Sequence, residues 1–232
     1  MIETASNARI GFVAVRHAGR VRVLTMLGPA EREEYLALVV PAVPAIESAL
    51  SDRVLAHRVA RCAVDPPALR LRPWRTERRA FASWLRDLTA AASTIAIADV
   101  RRCYASISPA TVARVLGDLG VDSAREVGGF LRRLEHAGGR GLPVGPEASA
   151  VLANAVLARA DETLRSAGVD HLRWVDDVVI AADGPTEARR AIGVLADAVA
   201  GLGLRLNEAK TRIAPTGGGV DLVGSAHART WG

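Results

Sequence analysis

His171–Gly184 reads HLRWVDDVVIAADG, and two adjacent carboxylates, Asp176 and Asp177, interrupt a run otherwise rich in β-branched residues. Successive side chains of a strand point to opposite faces, so one of two neighbouring aspartates in a covered sheet would be driven into the core. A tight turn lifts that restriction. The pattern therefore predicts a hairpin with Asp-Asp at its turn and both carboxylates at one end of a sheet. Aspartate is also an ordinary turn residue, so this stretch alone leaves a purely structural role open.

Working outward, STIAIADV (Ser93–Val100) predicts a short strand with Ile95, Ile97 and Asp99 on one face. SPATVARVLGDLG is a punctuated helix, with Ser108 as cap, Pro109 in the first turn and Gly120 at the end. A second helix fills DSAREVGGFLRRLEHAGG, and the Gly/Pro loop GLPVG leads into a long one that ends at Gly168. After the hairpin come a helix starting near Pro185 and two short strands in LRLNEAKTRIAP. From Ile95 onward this order predicts an α+β fold: a split βαβ, ferredoxin-like antiparallel sheet with helices on one face. If the strands pair that way, Asp99 reaches the same edge as Asp176 and Asp177. Three carboxylates at one edge make a hard, oxygen-rich site suited to Mg²⁺ or Mn²⁺. Two such ions roughly 3.5–4 Å apart are the apparatus of in-line phosphoryl transfer.

The N-terminal part differs in character. RIGFVAVRHAGRVRVLTML predicts a hairpin, and EREEYLALVVPAVPAIESAL a helix that Pro41 and Pro44 break or kink. CAVDPPALRLRPW reads as loop with a short strand, and TERRAFASWLRDLTAAA as helix. Between Arg53 and Arg79 lie eight arginines against two acids, Asp65 and Glu77, with Trp74 among them. Such a stretch attracts polyanions and suits phosphate pairing and base stacking through Arg70, Arg72, Trp74 and Arg75. Arginine-rich, lysine-poor composition also follows from GC-rich coding, so both readings stand.

The 232 residues are 50% hydrophobic and 24% charged with a net charge of +5, a globular composition long enough to bury a core. No apolar run approaches the roughly 20 residues of a membrane helix. MIETASNARI lacks a basic segment followed by an apolar block. Cys62 and Cys103 have no metal-ligand spacing. The expectation is a cytoplasmic protein with no membrane partner.

IADVRRCYASI, GLPVGPEASAVLAN, RWVDDVVI and GLGLRLNEAKTRI, in this order and spacing, resemble four consecutive motifs of a bacterial reverse transcriptase palm. More loosely, Arg20–Arg58 is similar to the fingers of that family. The resemblance implies an RNA-directed DNA polymerase, a nucleotidyltransferase that adds dNTPs to a 3′-OH on an RNA or DNA template-primer with two Mg²⁺ or Mn²⁺ ions. It divides the chain into abbreviated basic fingers (1–92), a catalytic palm (93–215) and a short C-terminal hairpin and tail (216–232). It assigns the ions to Asp99, Asp176, Asp177 and the backbone carbonyl of Val100. Lys210 falls where related polymerases keep a lysine that protonates the pyrophosphate leaving group. An ammonium can give up a proton and a guanidinium practically cannot, and Lys210 is the only lysine in the chain. The resemblance further assigns the incoming nucleotide to Arg22, to Arg102 and Cys103 through their N–H groups, to Tyr104 as a gate against a 2′-OH, and to the loop of Gly141, Pro143 and Gly145.

The chain departs from the family pattern in three places. Trp174 replaces the usual Tyr or Phe and keeps an aromatic body. Val144 replaces the Gln of template-copying members and cannot hydrogen-bond to nucleotide or primer. In this loop the chain looks closer to abortive-infection and other defence-associated reverse transcriptases, which implies anti-phage defence, template-independent synthesis or the protein itself as primer. Only 17 residues follow Pro215, room for no helical thumb. The basic stretch, a partner chain or a homo-oligomer is then expected to hold the nucleic acid. Two rivals share the architecture: a nucleotidyl cyclase, and a non-catalytic nucleic-acid-binding module that kept the fold.

Overall fold

The computed structural model describes residues 10–17 and 20–216, with side chains for all of these except 15–17 and 20–23. The expected C-terminal hairpin lies almost wholly outside the described residues. Two strands, β1 (Ile10–His17) and β2 (Arg20–Leu27), form the expected antiparallel hairpin. Helix α1 (Pro29–Val39) stops just short of Pro41. A single 3-10 turn, Val40–Ala42, follows, and α2 (Val43–Ala49) restarts with Pro44 in its first turn. Proline lacks the N–H that an unbroken helix would need there. Next come β3 (Val54–Leu55), β4 (Val59–Ala63) and β5 (Ala68–Leu71); where one short strand was expected, β4 and β5 pair as a hairpin.

Helix α3 (Trp74–Ala90) precedes β6 (Thr94–Asp99). A one-turn helix α4 (Cys103–Ser106), α5 (Pro109–Asp118), α6 (Ala124–His136) and α7 (Glu147–Ser166) follow. Ser108 caps α5, its Oγ accepting from the Thr111 N–H at 3.0 Å. The chain then forms β7 (His171–Trp174), β8 (Asp177–Ala182), α8 (Pro185–Ala200) and β9 (Arg212–Pro215).

Strand order in the main sheet is β3-β7-β8-β6-β9. Its last four strands pair antiparallel, as expected, and the two-residue β3 adds on in parallel beside β7. Alternation sorts the strands onto two faces. Ala96, Ala98, Val178 and Ile180 face the main core, which α1, α2, α5, α6, α7 and α8 complete. Helix α7 is buried almost all round, the pattern of a central helix. Ile95, Ile97, Leu172, Trp174 and Val179 face the other way, onto Phe81, Leu85 and Leu88 of α3. These three residues recur at helical spacing and form one apolar stripe. Helices therefore cover both faces, α3 adding to the set expected on one. Tyr35, Ile46 and Val54 share the main core with Val178 and Leu152, so residues before and after position 93 fold around one core.

Candidate active site

The β7–β8 register pairs Trp174 with Asp177, which leaves Val175 and Asp176 as a two-residue turn and makes Asp177 the first residue of β8. Asp177 is directly opposite Asp99 across the β6–β8 ladder. Both belong to the alternation set of Ile97 and Val179, so their carboxylates sit at the end of the face covered by α3. Directly opposed residues have Cα atoms about 4.5–5.5 Å apart, and like charges there repel. The Val100 N–H donates to the Asp176 carbonyl at 3.0 Å, tying the turn to the end of β6. Val100 also bridges Leu206, and the Asn207 N–H donates to the Asp99 carbonyl at 2.7 Å. The segment that carries Lys210 is thus held beside Asp99 by its main chain.

Asp99 is buried, 6% exposed. Its Oδ2 accepts from the Lys210 ammonium in a close ion pair, and its Oδ1 from Asn207 Nδ2 at 2.9 Å. Asn207 lies within the GLGLRLNEAKTRI motif, three residues before Lys210, but sequence reasoning gave it no role. Asp177 is half-buried, and burial, Asp176 and Asp99 together push its pKa up to about 7, with Lys210 opposing. The cluster therefore carries more negative charge than its lysine offsets. Oxygen donors with that excess suit a hard divalent cation. They are not set as a finished cage: among the described residues no three His, Cys, Asp or Glu side chains are grouped to hold a metal ion, and Asp99 is turned to Lys210 and Asn207.

The Gly141–Gly145 loop docks against α4. At Gly141, φ is 59°, and a Cβ there would stand 2.4 Å from the Tyr104 carbonyl oxygen and 2.9 Å from the Ala105 carbonyl. Only glycine fits this approach. The Leu142 N–H donates to the same Tyr104 carbonyl at 2.8 Å. Tyr104 is half-buried, and Cys103 is fully so. Burial raises both of their pKa values, with Asp176 adding to each, which places the pair within the field of the acidic cluster. Arg102, exposed, has left-handed φ of 49° and starts α4. On the other side of the loop, the Thr25 N–H of β2 donates to the Val144 carbonyl at 2.9 Å. Pro143 is buried and Gly145 exposed in the same loop. Arg22 lies on β2 opposite Val15, and its side chain is outside the described residues.

The arginines between positions 53 and 79 divide into two groups. Arg58 is buried and structural, bonded to Glu47 at 2.9 Å and to the Ser51 and Val54 carbonyls. Arg53 stacks 4.4 Å over Trp84. Arg61, Arg70, Arg72, Arg75 and Arg79 are exposed, as is Trp74 at 56%, with Arg75 beside its ring. Trp174 packs edge-on against Phe81, 5.4 Å between centroids, beneath Arg78. Since Trp174 flanks the acidic turn, the start of α3, with Trp74 and Arg75, lies toward the carboxylate end of the sheet.

Sequence reasoning missed a buried network behind the turn. Arg173, 1% exposed, forms a bidentate pair with Asp161 of α7, Nε at 2.9 and 3.0 Å and Nη2 at 2.7 Å. Its Nη1 donates to Asn154 Oδ1 at 2.9 Å and to the Val175 carbonyl at 2.8 Å. Burial opposes the charge on Asp161, but Arg173 and His171 outweigh it and hold the carboxyl below its usual range. His171 Nε2 stands 3.4 Å from Asp161 Oδ1 without an aligned hydrogen bond. Burial, then Arg173, lower the pKa of His57 to about 4, so it adds no charge at neutral pH.

An antiparallel sheet that brings acids on a hairpin turn against a third on the neighbouring strand, backed by helices, has the architecture of a polymerase palm. Residues 36–224 match the reverse transcriptase (RNA-dependent DNA polymerase) family, and the chain belongs to it. A structure of telomerase from Candida albicans in complex with a TWJ fragment of telomeric RNA aligns with TM-score 0.58 at 12% identity. The alignment covers 88% of this chain and 41% of that one, so this chain spans less than half of the telomerase chain. At that identity the likeness concerns the fold. By sequence, no curated protein matches. Among the described residues no helix is long and apolar enough to cross a membrane.

Proposed function

We propose that this reverse-transcriptase-like domain is an active DNA polymerase that adds dNTPs by two-metal phosphoryl transfer. The observation that carries the reading is the direct pairing of Asp177 with Asp99, with Asp176 in the adjoining turn and Lys210 on Asp99. Asp99, Asp176, Asp177 and the Val100 carbonyl would hold Mg²⁺ or Mn²⁺, which supplies nucleophile activation and charge neutralisation at the phosphoryl group. The raised pKa of Asp177 fits a cluster that a divalent cation relieves.

The remaining roles belong to the chain's own side chains. Lys210, which pairs with Asp99, hands a proton to the departing pyrophosphate. Tyr104, held with Gly141–Leu142, closes the sugar side of the pocket against a 2′-OH. Arg22, the N–H groups of Arg102 and Cys103, and the loop of Pro143 and Gly145 receive the triphosphate. Arg70, Arg72, Trp74 and Arg75 track the template-primer by charge and stacking. Residues 1–92 act as basic fingers and 93–215 as the palm. Val144 brings no side-chain donor to the template, which supports synthesis without a template or on the protein itself, in the manner of defence-associated relatives.

Purified protein is incubated with Mg²⁺ or Mn²⁺ and each labelled dNTP, with and without an RNA template and primer, beside an Asp176→Ala/Asp177→Ala double variant. Polymer made by wild type alone supports the reading. Label that appears without template, on the protein band, supports the defence-type mode. Cyclic nucleotide product, or polymer from the double variant as well, refutes it.

A further inference from the structure

The turn that presents Asp176 and Asp177 has a backbone its sequence does not favour. Val175 has φ of 57°, in the left-handed region, where a β-branched residue is a genuine outlier. Such a conformation persists when its surroundings over-determine it. Here the two-residue hairpin calls for positive φ at its first position, the Val100 N–H ties the Asp176 carbonyl, and the guanidinium of Arg173 holds the carbonyl of Val175 itself. One nitrogen, Nη1, donates to the Val175 carbonyl at 2.8 Å and to Asn154 Oδ1 at 2.9 Å, while Nε and Nη2 are fixed on Asp161. Asn154 and Asp161 stand seven residues apart, on one side of α7. That helix begins directly after the Gly141–Pro146 loop. The Asn154 amide donates in turn to the Ala56 and His57 carbonyls at 3.1 and 3.4 Å. These two residues are also left-handed, at 72° and 58°. One rigid helix thus holds strained backbone on both sides of β7.

A buried ion pair is weak grounds for stability, since its desolvation cost offsets much of its attraction. What sets this one apart is its aim: a planar fork with one arm on α7 and the other on the turn. We propose that Arg173 is a positioning residue that holds Val175 left-handed and thereby sets Asp176 and Asp177 against Asp99. The proposal rests on the reading of these aspartates as metal ligands. Lysine, a point charge on a flexible stem, cannot hold Asp161, Asn154 and the Val175 carbonyl together. Glycine at 175 adopts the left-handed conformation at no steric cost and makes the constraint unnecessary.

The test is a double-variant cycle on the full chain with Arg173→Lys, Val175→Gly and both together. Three quantities are read: Mn²⁺ affinity by electron paramagnetic resonance, thermal unfolding in EDTA, and kcat and KM for dNTP. Arg173→Lys is expected to weaken Mn²⁺ binding by about tenfold or more, as loss of a ligand's outer partner does, and to lower kcat more than KM changes. Val175→Gly alone stays within about twofold of wild type, and the double variant returns to that range. A purely structural role predicts a lower melting temperature with unchanged Mn²⁺ affinity and no rescue. Unchanged affinity in Arg173→Lys, a double variant as weak as the single one, or a wild type that binds no Mn²⁺ would each overturn the proposal. Should Arg173→Lys not fold, Asn154→Ala, which leaves the Asp161 pair intact, takes its place under the same criteria. A cycle that behaves as expected in a protein that incorporates no nucleotide refutes the polymerase reading and leaves the positioning role standing.

Discussion

Replacing Asp177 with Asn should make the metal-free protein more stable while abolishing its activity. Asp177 is crowded by burial, Asp176 and Asp99, which lift its pKa from 3.8 to about 7. The sign follows from linkage. A carboxyl whose folded pKa lies above its unfolded value costs stability as pH rises through the unfolded pKa, and the full cost is reached above the folded one. At about 1.4 kcal/mol for each tenfold change in proton affinity, the rise from 3.8 to about 7 sets a ceiling near 4 kcal/mol. Because Asp177 is only half-buried, solvent screening reduces this to roughly 2 kcal/mol. For a chain of this size that is about 4–8 °C in melting temperature. Asn is isosteric and uncharged, so Asp177→Asn should melt that much higher than wild type at pH 8 in EDTA. The gap should shrink toward zero at pH 4, near the unfolded pKa. Saturating Mg²⁺ should raise the wild-type value and close part of the gap, since the cation relieves the same repulsion. Differential scanning calorimetry over pH 4–8 measures all of this. An Asp177→Asn protein that melts at or below wild type at pH 8 in EDTA refutes the electrostatic account of the cluster.

Gly141→Ala places a methyl against the Tyr104 carbonyl and forces a non-glycine residue to φ of 59°. Left-handed strain of about 1–2 kcal/mol lowers the melting temperature by roughly 2–8 °C. Displacement of the loop should also raise KM for dNTP, and unchanged KM would mean that the loop does not border the nucleotide. Lys210→Arg keeps the charge beside Asp99 but not the transferable proton, so kcat should fall by about 10²–10⁴ while folding is retained. Single-turnover incorporation measures this, and a kcat near wild type removes Lys210 as the acid. Trp74→Ala should cost about 1–3 kcal/mol of single-strand binding with little change in salt dependence. Arg75→Ala should reduce the slope of log K against log salt by roughly 0.7. Fluorescence anisotropy across a salt series separates the two, and a common slope for both variants places the nucleic acid elsewhere.

The sequence betrayed the acidic hairpin because two adjacent carboxylates cannot both satisfy a covered strand. It betrayed β6 because Ile95, Ile97 and Asp99 keep a period of two. The lone lysine was legible for its chemistry, and its place on Asp99 follows the local chain. Arg173 was hidden by the same alternation that exposed the aspartates. With Leu172 and Trp174 on one face, Arg173 reads as a solvent-facing residue, yet α7 covers that face and leaves it 1% exposed. The signal that could have found it lies in α7, where Asn154 and Asp161 interrupt an apolar helix seven residues apart. Such polar residues in a core announce a buried partner. The parallel β3 escaped notice because two residues are too few to show any period. The second-face packing of α3 follows from tertiary context, since its apolar stripe fits any covered face equally.

The hydrogen bond between Thr25 and Val144 joins main chain to main chain. Its atoms belong to the backbone, so the link between the N-terminal hairpin and the Gly141–Gly145 loop survives substitution at either end, proline at position 25 excepted. The Val144 side chain takes no part in that link. It is free to change with the substrate, and a library varied at this one position could be screened for template use without the scaffold having to be rebuilt around each member.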